Sequence, residues 1–156
     1  MPLPPFATFL EEHRDTVYRF LIGTVGAQAA DDCFQETFLA ALRAYGRLRL
    51  DSNLRGWVLA IATRKAMDHF RRERRRPVAL GREAEGSVPP PEIETGLRRR
   101  VHALPPLQRA AVVQRYVLDL PYAEVARALG CSEAAARASA CAGRRRLRSQ
   151  LSGGRR

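Results

Sequence analysis

Three acidic and amide side chains recur at helical spacing in a chain that is otherwise strongly basic. Asp32, Gln35 and Glu36 stand at positions i, i+3 and i+4, which meet on one face of an α-helix. Carboxylates on such a face bind guanidinium groups through charge-assisted hydrogen bonds. We therefore expect either a solvated helix face or a docking surface for arginine side chains of a partner.

Arginines dominate a second stretch, at the end of another predicted helix. Five of the six residues 71–76 are arginine. Cations stabilise the C-terminal end of a helix through its dipole, but five of them repel one another unless a polyanion neutralises them. The density favours nucleic-acid contact over a solvated helix end.

Groups suited to catalysis or metal binding are sparse. Cys33, Cys131 and Cys141 lack paired spacing, so we expect small, partly buried thiols and neither a disulfide framework nor a zinc site. Arg64 and His69 have the spacing of the Arg/His pair of HEPN ribonucleases, which leaves an α-helical ribonuclease as a remote alternative. The sequence contains no glycine-rich phosphate loop and no Ser/His/Asp set. We predict no enzymatic activity, metal or cofactor.

Composition points to a polyanionic partner. The chain has 156 residues and a formal net charge of +11, from 27 basic and 16 acidic side chains, which is typical of proteins that bind nucleic acid or an anionic surface. No apolar run reaches the ~18 residues of a membrane span. The first residues have neither the basic nor the apolar segment of a signal peptide. We expect a cytoplasmic protein without membrane insertion.

The elements that position these groups are predicted to be helices. The second helix, from Ala30, should carry Asp31 and Asp32 near its start, where acids complement the dipole. Asp51 or Ser52 should cap the third helix. The expected buried stripe of the second helix consists of Phe34, Phe38, Ala41 and Leu42. Apolar periodicity with glycine and proline breaks predicts the first four helices over 6–26, 30–45, 54–75 and 92–103.

A segment rich in proline, glycine and serine divides the chain. We predict an all-α fold of two small helical domains joined by a flexible linker. In the second domain a short helix ends at Gly130, and Ser132 caps a long final helix, which is helix-turn-helix spacing. The predicted division is a first domain over 1–76, a linker over 77–91, a second domain over 92–150 and a frayed tail over 151–156.

Three stretches resemble the extracytoplasmic-function (ECF) group of bacterial RNA polymerase sigma factors. The run ADDCFQETF at 30–38, and Trp57 followed by Asp68 and the Arg71-Arg72 pair, resemble region two of that family. LPPLQR at 104–109, ahead of the helix-turn-helix, resembles region four. In the family, the helix that matches 30–42 binds the clamp helices of the largest polymerase subunit. The resemblance therefore implies this docking role for Asp32, Gln35 and Glu36.

The resemblance also implies a surface for the minus-ten promoter element. In the family, the third helix and the loop before it hold this element and capture a flipped base, which costs a few kcal/mol of unstacking. Trp57 is either a core side chain or a stacking platform, and Arg64 stands where the family usually has Asn. The implied minus-ten residues are Arg47, Arg49, Asn53, Trp57, Arg64, Lys65, Arg71 and Arg72.

Region four of the family binds the minus-thirty-five element through its last helix. Here alanines replace polar, basic and larger apolar residues of the family pattern, so we expect phosphate contacts with reduced base reading. Ala136 and Ala140 should cost stability if they leave empty space, and Gly143 should cost ~1 kcal/mol of helix propensity. The implied minus-thirty-five residues are Ser132, Arg137, Ser139, Arg144, Arg145 and Arg148.

The resemblance implies an ECF-type sigma factor that binds core RNA polymerase and promoter DNA, with an anti-sigma factor as a further partner. A stand-alone helix-turn-helix regulator is one alternative, since residues 105–148 alone would fit it. A degenerate sigma-like protein, which binds polymerase but initiates poorly, is another.

Overall fold

The computed structural model describes residues 2–49, 52–76 and 96–153, and all regular structure in these residues is helical. This confirms the all-α prediction. Across the described ranges, no helix combines the length and apolar character that a membrane crossing requires. The elements are α1 (Phe6–Val25), α2 (Ala27–Tyr45), α3 (Leu54–Arg75), α4 (Gly96–His102), α5 (Pro106–Val112), a π-helical turn (Val113–Val117), α6 (Tyr122–Leu129) and α7 (Glu133–Gly153).

Helices α1, α2 and α3 pack around an aromatic cluster in the N-terminal half, by which we mean the described residues up to 76. Phe9 of α1 is fully buried. Its ring centroid lies 6.1 Å from that of Phe38, 5.1 Å from that of Tyr45 and 5.7 Å from that of Trp57. Burying a side chain of this size contributes about 1.5–3 kcal/mol. The cluster therefore fixes how α2 and α3 lie against α1.

Helix α2 begins three residues earlier than predicted. Gly26 separates it from α1 with φ of +87°, a backbone conformation that favours glycine. Asp31 and Asp32 consequently lie beyond the first turn, and their predicted role at the helix start was wrong because the dipole effect fades within that turn.

The buried face of α2 differs from the prediction at one position. Phe38 and Ala41 are buried and Phe34 is half-buried, but Leu42 is 54% exposed. Its place in the buried stripe was wrong because Leu42 follows Gln35 by seven residues and shares the outward face of the helix with it.

Helix α3 has the predicted bounds but a different cap. Asn53, and neither Asp51 nor Ser52, is the N-cap residue, and its Oδ1 accepts a hydrogen bond of 3.1 Å from the backbone N–H of Gly56. This satisfies one of the unpaired donors at the helix start.

The helix-turn-helix of the C-terminal half, residues 96–153, forms as predicted. Gly130 ends α6 with φ of +69°, in the left-handed region. The hydroxyl of Ser132 accepts a hydrogen bond of 3.1 Å from the backbone N–H of Ala135 and so caps α7. Helix α7 continues to Gly153, and the last three residues of the predicted tail lie outside the described residues.

Small residues let α7 approach α5 closely. Ala136 and Ala140 are fully buried. A Cβ atom built on Gly143 would lie 2.6 Å from Val112 Cγ2 and 3.3 Å from the Gln108 carbonyl oxygen. The expected cost of empty space is therefore offset by close contact of the two helices, and Gly143 is required by that contact.

The two halves pack on each other. Helix α6 lies against α3, and the π-helical turn lies against α1. A Cβ atom on Gly23 of α1 would meet Val113 Cγ1 at 3.1 Å, which shows how closely the turn approaches. The linker predicted over 77–91 lies outside the described residues.

The three thiols have different environments. Cys33 is buried in the N-terminal core, and burial, followed by the charge of Glu36, raises its pKa to about 11. It is therefore a protonated, unreactive core side chain at neutral pH. Cys131 and Cys141 are exposed, so the prediction that they are partly buried was wrong. Both lie on the outward surface of the helix-turn-helix. The sequence pattern did not indicate which of its residues face solvent.

Candidate nucleic-acid and protein-binding surfaces

The outward face of α2 combines acidic, amide and apolar side chains. Asp32 and Gln35 are exposed and Glu36 is half-buried. Leu39 and Leu42 extend this face toward the end of the helix and are 52% and 54% exposed. Sequence reasoning missed both leucines as surface residues, although Leu39 follows Asp32 by seven residues. A face with two exposed leucines beside carboxylates suits a protein partner better than solvent alone.

Neighbouring residues anchor this α2 face. The Tyr18 hydroxyl donates a hydrogen bond of 3.2 Å to Asp31 Oδ1, and this bond raises the pKa of Tyr18. Asp31 is thus engaged with α1. Arg72 Nη1 of α3 lies 3.5 Å from Glu36 Oε1. The acidic face of α2 and the arginine-rich end of α3 are therefore adjacent surfaces of one helical unit.

Two rows of cations run along the outer side of α3. Arg64 and Arg71 are seven residues apart, as are Lys65 and Arg72, so each pair lies nearly in line along the helix. From Arg64 to Arg72 the axial distance is about 12 Å at 1.5 Å per residue. Arg64, Arg71 and Arg72 are exposed and Lys65 is half-buried. The rows present positive charge over two helical turns.

Acidic side chains form ion pairs with two arginines near the C-terminal end of α3. Arg71 Nη2 forms an ion pair of 2.8 Å with Asp68 Oδ1, and Arg76 Nη1 lies 3.7 Å from Glu73 Oε1. All four side chains are at least half exposed, and exposed pairs contribute only about 0–1 kcal/mol. A phosphate can therefore compete for these arginines at small cost.

Residues at the start of α3 form polar contacts with α6. Asn53 is exposed, and its Nδ2 donates a hydrogen bond of 3.4 Å to Glu124 Oε1 of α6. Arg55 Nη2 lies 2.9 Å from both Glu124 oxygens. Arg47 and Arg49 are exposed in the preceding loop. Sequence reasoning proposed Asn53 but missed Arg55 and Glu124, because no local pattern pairs residues 69 positions apart.

Trp57 belongs to the aromatic cluster of the N-terminal half. Its ring centroid lies 5.7 Å from that of Phe9 and 6.3 Å from that of Tyr45, and the side chain is half-buried. Of the two interpretations from the sequence, the packing favours a core side chain. Stacking on a base stays a prediction for the exposed part of the ring.

The outer face of α7 carries a second cationic surface. Arg137, Arg144 and Arg148 recur at i, i+7 and i+11, so they form one stripe, and all three are exposed, as is Arg145. Ser139 is half-buried. The Ser132 hydroxyl is engaged in capping the helix.

Two tyrosines orient the arginines of this stripe. The Arg137 guanidinium carbon lies 4.5 Å from the Tyr122 ring centroid, and its Nη2 lies 3.7 Å from Glu133 Oε1. The Arg144 guanidinium carbon lies 5.9 Å from the Tyr116 ring centroid. Cation–π contacts of this kind contribute about 0.5–1 kcal/mol at exposed sites. They limit the orientations of both guanidinium groups before any ligand binds.

The Arg64/His69 pair does not form a catalytic site. Side chains five residues apart leave a helix in directions about 140° apart. His69 is half-buried, and its ring centroid lies 5.7 Å from that of Phe70. Within the described ranges, no group of three or more His, Cys, Asp or Glu side chains is placed to hold a metal ion.

Two family models match the chain in the same order as its two halves. The model for Sigma-70 region 2 matches residues 9–76, and the model for Sigma-70 region 4 matches residues 95–147. The α2 face and the cation rows of α3 lie in the first match, and α7 lies in the second as far as residue 147.

Curated sequences and a solved structure resemble the chain over most of its length. It is 34% identical over 142 residues to the ECF RNA polymerase sigma factor BldN of Streptomyces coelicolor, a match that covers 83% of this chain and 54% of BldN. It is 33% identical over 134 residues to the ECF RNA polymerase sigma factor SigC of Mycobacterium tuberculosis, covering 79% of this chain and 70% of SigC. The fold resembles that of the sigma factor RpoE of Bartonella quintana, solved with the anti-sigma factor NepR, with a TM-score of 0.76, 20% identity and coverage of 96% and 98%.

Proposed function

The chain belongs to the ECF family of bacterial RNA polymerase sigma factors, and from this premise we propose that it binds core RNA polymerase and directs it to promoters. One structural observation carries the proposal. An acidic and apolar face on α2 lies beside two rows of cations on α3, linked by the 3.5 Å contact of Glu36 with Arg72. This arrangement suits a protein partner on one side and a polyanion on the other.

The polymerase-docking surface consists of Asp32, Gln35 and Glu36. The carboxylates receive arginine side chains of the clamp helices of the largest subunit, and Leu39 and Leu42 supply apolar contact at the edge of the surface. Apolar contact combined with neighbouring charged groups gives both affinity and orientation.

The minus-ten element binds along α3 and the loop before it. Arg64, Lys65, Arg71 and Arg72 hold phosphates, and the loop from Arg47 to Asn53 receives a base taken out of the stack. Extracting the base costs a few kcal/mol. The cationic rows offset this cost because each neutralised phosphate releases condensed counterions.

The minus-thirty-five element binds along α7. Arg137, Arg144, Arg145 and Arg148 contact phosphates, while exposed alanines at 135 and 138 offer no hydrogen bonds to base edges. Helix α7 therefore positions the protein on DNA and adds affinity, but it discriminates little between base sequences.

The mechanism is binding without covalent chemistry, so we propose that the chain is not an enzyme and acts in the cytoplasm, where polymerase and promoter DNA are. An anti-sigma factor is a further proposed partner, as in the solved complex of RpoE with NepR. The chain spans about half the length of BldN, 54%.

The first experiment measures binding of the full chain to purified bacterial core RNA polymerase. Asp32→Arg/Glu36→Arg should abolish binding, whereas Glu11→Arg/Asp15→Arg, which makes the same charge change at two exposed positions of α1, should bind as the unaltered chain does. Circular dichroism checks that both variants fold. Runoff transcription on pooled genomic fragments then tests initiation.

Two outcomes would overturn this proposal. Failure of the unaltered, folded chain to bind core polymerase would favour a stand-alone DNA-binding protein. Equal binding by the chain and the Asp32→Arg/Glu36→Arg variant would remove the docking surface. Specific binding without runoff product would instead identify a sigma-like protein that initiates poorly.

A further inference from the structure

A cationic cleft lies between α5 and α7 in the C-terminal half. It has a volume of about 560 Å³ and is open to solvent. None of the side chains that line it is acidic: Gln108 of α5 and Ala142, Arg145, Arg146, Ser149 and Gln150 of α7. Arg145 and Arg146 are exposed, and among the described residues neither has an acidic partner, whereas Arg137 of the same helix lies 3.7 Å from Glu133 Oε1. The cleft therefore holds positive charge that no group of the described chain neutralises.

The Gln108 side chain brings an unsatisfied polar group to this cleft. Its Oε1 atom is buried and has no hydrogen-bond partner among the described residues. A buried amide oxygen without a partner costs stability, so packing of α5 on α7 does not by itself account for a glutamine here. Rotation of the amide group exchanges its oxygen and its N–H groups. Gln108 is thus able to donate a hydrogen bond to an anion in the cleft.

Ser149 is the serine of the helix-turn-helix whose hydroxyl stays available at the surface. The Ser132 hydroxyl caps α7, and the Ser152 hydroxyl donates a hydrogen bond of 3.0 Å to the Arg148 carbonyl. Ser139 is half-buried. Ser149 is exposed, and its hydroxyl has no hydrogen-bond partner among the described residues. It is therefore accessible to covalent modification.

The two arginines of the cleft are neighbours of Ser149 on the helix surface. Arg145 and Arg146 precede it by four and three residues, and side chains at these spacings meet on one face. Guanidinium groups bind phosphate oxygens through paired, charge-assisted hydrogen bonds. A phosphate on Ser149 would therefore lie against both arginines and beside Gln108. The helix dipole disfavours an anion near the C-terminal end of α7, and the two arginines offset this effect.

The end of α7 is suited to entering the active site of a modifying enzyme. All residues from Arg148 to Gly153 are exposed, and the last buried residue of the helix is Gly143. A terminal segment without buried contacts unfolds locally at small cost, so Ser149 can be presented in an extended form. The arginines at 144–146 and 148 then precede the hydroxyl and complement an acidic substrate groove.

We propose that Ser149 is a phosphorylation site, and that Gln108, Arg145 and Arg146 form the pocket that receives the attached phosphate. A protein kinase with an acidic substrate groove transfers the γ-phosphoryl group of ATP to Ser149 Oγ. The Oγ–P bond forms as the bond between the γ-phosphorus and its bridging oxygen breaks. ADP leaves, and the hydroxyl proton passes to the catalytic base of the kinase.

The consequence of phosphorylation is weaker binding of DNA by α7. The phosphate carries about −1.5 to −2 charges at neutral pH, and it engages Arg145, which the proposed function assigns to DNA phosphates. It also repels the DNA backbone from this end of the helix. This consequence rests on the proposed function, whereas the modification site and its pocket are properties of the chain itself.

Mass spectrometry of the full chain tests the modification site. The purified chain is incubated with ATP and an arginine-directed serine kinase, the catalytic subunit of protein kinase A. Ser149 should carry most of the incorporated phosphate, and Ser149→Ala should remove that share. Ser152, which is exposed on the same helix but hydrogen-bonded to the Arg148 carbonyl, is the internal control. No phosphate on Ser149, or equal incorporation at Ser152, would overturn the site.

Phosphorus NMR of the full chain, with phosphoserine incorporated genetically at position 149, tests the pocket. Guanidinium groups beside a phosphate lower its second pKa, so Arg145→Gln/Arg146→Gln should raise this pKa by about 0.5 or more. Arg71→Gln/Arg72→Gln removes the same charge from α3 and should leave the titration unchanged. Equal effects of the two double variants would show that no pocket holds the phosphate.

Fluorescence anisotropy with duplex DNA measures the consequence. Phosphoserine at position 149 should lower the slope of log affinity against log salt by about 0.9 for each DNA phosphate contact that is lost. Phosphoserine in place of Thr8, an exposed residue of α1, adds the same charge and should leave the slope unchanged. Equal slopes in the two phosphorylated chains would overturn the effect on DNA. If the chain does not bind core polymerase, the proposed function fails, while mass spectrometry and NMR still decide the site.

Discussion

Gln114 and Thr63 lie 51 positions apart in the chain, yet their side chains are joined by a buried hydrogen bond of 3.0 Å. This bond connects the two family-matched segments, 9–76 and 95–147. The Thr63 hydroxyl has a second partner in the Leu59 carbonyl, whereas the Gln114 amide oxygen has none among the described residues. Loss of the bond would therefore leave the Thr63 hydroxyl with one partner and the Gln114 side chain with none among the described residues. This difference predicts different stabilities for variants at the two positions.

Removal of the Thr63 hydroxyl should be more costly than removal of both polar groups. Thr63→Val leaves the buried Gln114 amide without its hydrogen bond, so we expect a loss of about 1–3 kcal/mol in the free energy of unfolding. Thr63→Val/Gln114→Leu replaces both partners by apolar groups and should be nearly neutral. Urea denaturation followed by circular dichroism measures both values. A double variant less stable than Thr63→Val would contradict this expectation and would show that the Gln114 side chain stabilises the fold through contacts other than this hydrogen bond.

Gly143→Ala should destabilise the C-terminal half even though alanine favours helices. The added Cβ would lie 2.6 Å from the stiff Val112 side chain and 3.3 Å from the Gln108 carbonyl oxygen, so α7 must move away from α5. We expect a net loss of about 1–3 kcal/mol, measured by thermal or urea denaturation.

Two further variants separate the clash from the general effect of adding a methyl group. In a double-mutant cycle, Gly143→Ala should cost less in a Val112→Ala background than in the unaltered chain, because the contacting atom is gone. Gly46→Ala adds a methyl group in open space at φ of −66° and should be neutral or stabilising by about 0.4–1 kcal/mol. Equal losses for Gly143→Ala and Gly46→Ala would argue against close packing of α7 on α5.

His13 should make stability depend on pH. Burial lowers its pKa below the ordinary value of 6.5, the nearby Arg55 charge lowers it further, and Glu12 acts in the opposite direction. Because the unfolded chain binds a proton at higher pH than the folded chain, this contribution is present above pH 6.5 and is lost as pH falls through the folded pKa.

Replacement of His13 isolates that contribution. His13→Gln should show a smaller decline in the free energy of unfolding between about pH 7.5 and about pH 5 than the unaltered chain, as urea titrations at several pH values would reveal. The carboxylates titrate in both proteins, so the difference between the two curves belongs to His13. Parallel curves would show that its environment does not change on folding.

The affinity of the chain for DNA should fall steeply as the salt concentration rises. Each arginine of the α3 rows should add its own share to this salt dependence. Arg71→Gln removes one cation from the phosphate-binding rows and should reduce the slope of log affinity against log salt by about 0.9 on duplex DNA. Arg14→Gln, an exposed arginine on α1, is the charge-matched control and should leave the slope unchanged. Fluorescence anisotropy at a series of salt concentrations measures both. The same decrease in both variants would indicate diffuse attraction without a defined surface.

Local signals in the sequence were sufficient for the helices and for several of their ends. Prolines at 105 and 121 precede α5 and α6. As predicted, Gly130 ends α6 in the left-handed region and Ser132 caps α7. These features depend on backbone restrictions and on hydrogen bonds between residues three or four apart. The sequence alone could therefore determine them, and the family resemblance drew on the same local patterns.

Tertiary structure decided which surfaces remain accessible. Leu42 fits an apolar stripe in sequence but lies on the exposed face with Gln35, and Asn53, assigned to DNA, is held by Glu124 of the other half. Gly143 weakens a helix in isolation but permits α7 to contact α5. Periodicity and capping report contacts within one or two turns, whereas burial and ion pairing depend on which distant segments meet in space. That meeting is determined by the packing of the whole chain.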